Sequence, residues 1–73
     1  MIEEYKTKYC SVERHISGRY DVYIGNEKIL ACYELQEAIT KCDKLEANIL
    51  AAEQDMPTED AIAQVKEFSY LYL

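Results

Sequence analysis

Residues that break or loosen a chain are scarce here: two glycines and one proline occur in 73 residues. With 49% apolar and 30% charged residues, that scarcity excludes the disordered and collagen-like classes and implies a globular fold. The chain has about half the commonest domain length, which excludes a second core and makes residues 1–73 a single domain. No apolar run reaches the roughly 18 residues that a bilayer span requires. Met1, Ile2, Glu3 and Glu4 also lack the basic start and apolar stretch of a signal peptide. The expected location is cytoplasmic, with no membrane partner.

Chemistry-bearing residues are equally sparse. Cys10, Cys32 and Cys42 cannot all pair within one chain, and none stands in a C-x-x-C spacing, so buried reduced thiols are expected. An intermolecular disulfide, or a mixed zinc site at Cys10 and His15, is the lesser alternative. His15 is the only histidine, and strand alternation aims it away from Cys10, which disfavours a Cys-His dyad. Gly18 and Gly25 are isolated, so no phosphate-cradling loop exists. Carboxylates are plentiful, but paired-carboxylate hydrolysis needs a cleft that so short a chain can hardly build. No catalytic activity, metal or cofactor is expected.

What the chain does have is negative charge. Fourteen acids against eight bases leave a net charge of -6. Up to Tyr33, five acids (Glu3, Glu4, Glu13, Asp21, Glu27) cancel five bases (Lys6, Lys8, Arg14, Arg19, Lys28). Beyond it nine acids meet only Lys41, Lys44 and Lys66, so the net charge lies wholly in the second half. Such a half repels nucleic acid and attracts basic partners.

Period-two alternation marks the first half as strands. Over Lys8–Ile16, Cys10, Val12 and Ile16 share one face, with Tyr9, Ser11, Glu13 and His15 on the other. Ser17-Gly18 permits a reversal. Tyr20, Val22 and Ile24 share a face of the next strand, Gly25-Asn26 is a tight hairpin signal, and Lys28–Tyr33 is the third strand. At Glu34 the period changes to three and four, which predicts a helix over about Glu34–Asp55, stopped by Pro57. Thr58 is the expected N-cap of a second helix, with Glu59 and Asp60 in its first turn and Ala61, Ile62, Val65 and Phe68 on its inner face. Residues 68–73 fit either its continuation or a short closing strand. The expected fold is α+β: a three-stranded antiparallel meander, a long helix and a shorter one (βββαα).

Leu35, Ala38, Cys42, Leu45, Ile49, Ala52 and Met56 form a coiled-coil type seam on the long helix. A helix of that length overhangs six-residue strands, and a second copy packing on the seam would cover the overhang. A homodimer and a compact monomer both remain open. Glu46 and Glu53 fall within the apolar arc, where they either reach solvent at its margin or face a basic partner.

Seven tyrosines are a marked excess, and Tyr9 and Tyr23 are expected to share the sheet face away from the helix. Such a face can stack bases or bind protein, and the low basic content favours protein. The run Tyr20–Ile29 followed by Leu35-Gln36-Glu37-Ala38-Ile39 resembles the hairpin-then-helix unit of small phage-encoded proteins, and of phage-integrase domains that insert a basic sheet into DNA. The neutral sheet and acidic helices depart from the integrase pattern. In size and acidity the chain is also similar to phage inhibitors of host defence, anti-CRISPR proteins among them. The function expected from these features is a small inhibitor. An acidic helical surface (Glu34, Glu37, Asp43, Glu46, Glu53, Glu59, Asp60) would dock on the basic, nucleic-acid-binding site of a larger host or phage protein, with Tyr9 and Tyr23 as a second contact. The alternatives are a non-inhibitory accessory or assembly protein acting as a homodimer, and a small nucleic-acid binder using its sheet.

Overall fold

The computed structural model describes residues 2–72. Its order is β1 (Ile2–Lys6), β2 (Cys10–Arg14), β3 (Tyr20–Ile24), β4 (Glu27–Cys32), α1 (Leu35–Ala52), α2 (Thr58–Glu67) and α3 (Ser69–Tyr72). The strands form one antiparallel sheet in the order β1-β2-β3-β4, so the fold is α+β with four strands instead of the expected three.

The extra strand, β1, escapes a period-two reading because it contains a bulge. Ile2 pairs with Arg14 and Tyr5 with Val12, and the register shifts between Glu3 and Tyr5, which puts one extra residue on β1. Ile2 and Tyr5 therefore share a side despite their odd spacing. A second shift in β4 lets Val22 pair with Leu30 and Tyr23 with Lys28, so neighbouring Ile29 and Leu30 both pack against the core.

Strand β2 is shorter than the predicted Lys8–Ile16. Its end is set by the turn that follows, where the His15 N–H donates to the Arg19 carbonyl (2.7 Å) and the Gly18 N–H to that of His15 (2.9 Å). Gly18 takes a φ of 91° there, and Ile16, expected on the inner face, stands 91% exposed at the tip. At the β3–β4 hairpin only Gly25 has positive φ (61°), the glycine-first pattern of a II′ turn. The Gly25 N–H also donates to the Tyr9 carbonyl (2.9 Å), tying this hairpin to the β1–β2 loop.

Helix α1 covers one face of the sheet, and α2 packs against α1. Val12, Val22 and Ile24 share one core with Ala38, Cys42, Leu45 and Ile49 of α1 and Ala61 and Val65 of α2, all fully buried. The seam expected to receive a second copy is thus taken up inside the chain itself. Ala38, Cys42, Leu45 and Ile49 have no exposed surface, and Leu35, Ala52 and Met56 lie half-buried against the same cluster. Its three-four spacing is that of any helix packed on a sheet. Helix α1 stops at Ala52, short of Asp55, because the chain tightens into successive turns. The Gln54 N–H donates to the Ala51 carbonyl (3.2 Å) and the Asp55 N–H to that of Ala52 (3.1 Å).

Helix α2 begins differently from expectation. Pro57, not Thr58, occupies the cap, and its carbonyl accepts the Ala61 N–H (3.0 Å). Thr58 is the first helical residue, which frees its hydroxyl for α1. Residues 69–72 are helical, so no closing strand forms there, and Leu73 of the alternation that suggested one lies outside the described residues. No helix is long and apolar enough to cross a membrane among the described residues.

Candidate functional site

The acidic side chains of α1 divide by helical position. Asp43, Glu46 and Glu53 lie at three- and seven-residue steps, on the flank of the core stripe that overlooks β1 and the β1–β2 loop. Each meets a hydroxyl from that loop or strand. The Tyr5 hydroxyl donates to Asp43 Oδ1 (2.6 Å), and the Thr7 hydroxyl to Glu46 Oε1 (2.7 Å), which also accepts the Tyr9 backbone N–H (3.0 Å). Glu53 Oε2 accepts both the Tyr9 hydroxyl and the Thr58 hydroxyl, each at 2.5 Å. Three carboxylates thus latch the sheet edge and the start of α2 to α1. The two glutamates inside the apolar arc are hydrogen-bonded within the chain.

At Glu53 and Tyr5 the bonds shift titration as their geometry requires. Hydrogen bonds from Thr58 and then Tyr9 favour the charged form of Glu53 and hold its carboxyl below the ordinary range. Conversely, the Asp43 carboxylate that accepts the Tyr5 proton pushes that phenol up. Because the donors are uncharged, the carboxylates keep their negative charge and still contribute to the field outside the protein. The Lys8 ammonium, 5.2 Å from the Tyr9 ring centroid, offsets part of the charge on Glu53.

The remaining acids of the expected surface stand clear. Glu34, Glu37, Glu59 and Asp60 are exposed. Among the described residues the ion pairs are Arg14–Glu4 (3.8 Å), Arg19–Asp21 (2.7 Å) and Lys66–Glu27 (3.6 Å), and none involves these four. They do not form one patch. Glu34 and Glu37 stand at the start of α1, Glu59 and Asp60 just past its far end, with about 27 Å of helix between.

The tyrosines expected to share the open sheet face are separated. Tyr9 lies in the β1–β2 loop with its ring turned to α1, as its bond to Glu53 shows, because the strand begins only at Cys10. Tyr23 does occupy the open face, half-buried in a cross-strand row with Lys6, Ser11 and Lys28. Burial, followed by Glu13 and Asp21, pushes its phenol up. The adjacent row places Glu3, Glu13 and Asp21 side by side. Asp21, 2% exposed, is sealed by its neighbours and gripped by Arg19 through Nε (2.7 Å) and Nη2 (3.3 Å), a bond that lowers its pKa. Sequence reasoning missed this pair, although Arg19, just before β3, stands two residues from Asp21 and so on the same side of the extended chain.

His15 sits in the β2–β3 turn, where Nδ1 accepts the Ser17 backbone N–H (3.1 Å) and lies 2.9 Å from Ser17 Oγ. With Ile2, Arg14, Ile16 and Gly18 it lines an open depression of about 390 Å³. No group of three His, Cys, Asp or Glu converges as a metal site among the described residues. No protein-family model matches the chain, and no curated protein or solved structure matches it significantly.

Proposed function

We propose that this protein is a small acidic binding protein, an inhibitor that docks its helical exterior onto the basic, nucleic-acid-binding site of a larger protein. The observation that supports this is the set of exposed carboxylates Glu34, Glu37, Glu59 and Asp60, outside every ion pair described, on a chain of net charge -6. Asp43, Glu46 and Glu53 are assigned a different part: they hold the scaffold and deepen the potential without being the main contacts. Since the free carboxylates lie at both ends of α1, the complementary surface is elongated, as a groove for a nucleic-acid strand is. Carboxylates would there take the place of phosphates against lysine and arginine.

Nucleic acid itself is a poor occupant of the sheet, because Glu3 and Glu13 offset Lys6 and Lys28 there and Arg19 is bound to Asp21, so the face around Tyr23 carries no excess of positive charge to hold phosphates. Affinity capture from a host lysate, with the wild type and a variant carrying E34K, E37K, E59K and D60K, tests the proposal. The wild type is expected to retain nucleic-acid-binding proteins that moderate salt or added oligonucleotide releases, and the variant to retain none of them. Capture that charge reversal, salt and oligonucleotide all leave unchanged contradicts it.

A further inference from the structure

The sheet face that α1 covers is left uncovered at one end. Val12 of β2 is fully buried, whereas Arg14, two residues on and so on the same face, is exposed, as are Ile2, its cross-strand partner on β1, and Ile16 at the tip of the following turn. Single exposed aliphatic side chains are ordinary, but Ile2 and Ile16, 54% and 91% exposed, line one depression together. With Arg14, His15 and Gly18 they border about 390 Å³, within the range of about 300–1,000 Å³ that small-molecule sites span. No acidic side chain lines it among the described residues.

Two polar groups of this lining have hydrogen-bonding capacity to spare. Glu4 meets Arg14 through Nε at 3.8 Å, too far for a hydrogen bond, so the guanidinium fork is free for a closer acceptor. The Ser17 backbone N–H donates to Nδ1 of His15, which places the proton of the neutral ring on Nε2 as a further donor. We infer that this depression is a binding site for a small aliphatic carboxylic acid. Its carboxylate takes the Arg14 guanidinium, with the His15 Nε2–H as a second donor, and its alkyl chain covers Ile2 and Ile16. Arg14 supplies one fixed positive charge, which matches a carboxylate better than a phosphate dianion. Both halves of the ligand are needed: a shorter acid gains little from the isoleucines, and a neutral alcohol gains no charge-assisted bond from Arg14. Glu4 is the internal competitor for that guanidinium.

The whole protein, isotopically labelled, is titrated with hexanoate, acetate and hexanol while its backbone amides are followed by NMR. Hexanoate is expected to move the amides of residues 14–18 saturably, with a Kd on the order of 1 mM, and to leave those of α2 in place. Acetate and hexanol are each expected to bind about tenfold more weakly or worse. Arg14→Gln and Ile16→Ser, both at exposed positions, weaken hexanoate binding about fivefold or more while the rest of the spectrum stays unchanged. Glu4→Gln, which removes the competitor, tightens it. Equal responses to hexanoate and either control, no saturable response to hexanoate, or binding that Arg14→Gln and Ile16→Ser leave intact overturns the inference. Movement of the same amides on diluting the protein alone assigns the face to a second copy and overturns it as well.

Discussion

Glu46 is the side chain on which the β1–β2 loop depends. It is half-buried and accepts from Thr7 and from the Tyr9 backbone at once, so its loss leaves two donors without their partner. Glu46→Ala is expected to destabilise the protein by about 1–3 kcal/mol, measured by urea unfolding, whereas the exposed Glu37→Ala should fall within about 0.5 kcal/mol of the wild type. Equal effects would show that the latch carries no stability. The same bonds set the pH profile. Glu53 and Asp21 titrate below their ordinary values when folded, so their contribution is complete above about pH 5 and is lost as pH falls through the depressed values. Tyr5 and Tyr23 titrate above the ordinary tyrosine value, so their contribution is complete below about pH 10 and is lost above it. A melting midpoint that is flat between these limits and falls on both sides is expected, with Glu53→Gln flattening part of the acid limb. An acid limb unchanged in that variant would assign it to other groups.

Elements that obey a simple period are legible in the sequence, and those that depend on a distant contact are not. The alternation of Val12, Val22 and Ile24 and the three-four spacing of Ala38, Cys42, Leu45 and Ile49 mark elements that the structure contains, and all seven are buried. The same spacing carries no information on whether a sheet or a second helix covers it, which is why the seam reads equally well as a dimer contact. Strand β1 is hidden because a bulge breaks its period and its burial is slight. Thr58 looks like a cap, but Glu53 claims its hydroxyl and Pro57 takes the position. Tyr9 fits the alternation of β2, yet the strand starts one residue later and the ring turns to Glu53. Of the candidate site, the excess of acid was legible, whereas its division into latched and free carboxylates was not, since that division depends on hydroxyls nearly forty residues away. Two substitutions test the elements themselves. Gly25→Ala, at a φ of 61° with open space around the added methyl, is expected to cost about 1–2 kcal/mol through backbone strain alone. Leu45→Ala, in the fully buried centre of α1, is expected to cost about 2–5 kcal/mol. Denaturant midpoints at constant m-value check both, and a near-neutral Leu45→Ala would mean that α1 is not packed on the sheet as described.

At the scale of the whole molecule, charge and shape point the same way. The principal extents are 38, 19 and 16 Å, and free carboxylates stand near both ends of the longest helix. A partner that engages them all must offer positive charge along a comparable length, which is what separates a nucleic-acid groove from a single basic pocket. The scaffold charges add to attraction at a distance, so the on-rate should fall steeply with ionic strength even where direct contacts are few.

The most direct measurement is the affinity for the purified captured partner as a function of salt, with the wild type and the E34K, E37K, E59K and D60K variant compared side by side. Docking through the acidic exterior predicts a steep fall in wild-type affinity with rising salt, and at least a hundredfold weaker binding (about 3 kcal/mol) by the folded variant at low salt. A shallow salt dependence together with undiminished binding by the variant would contradict it.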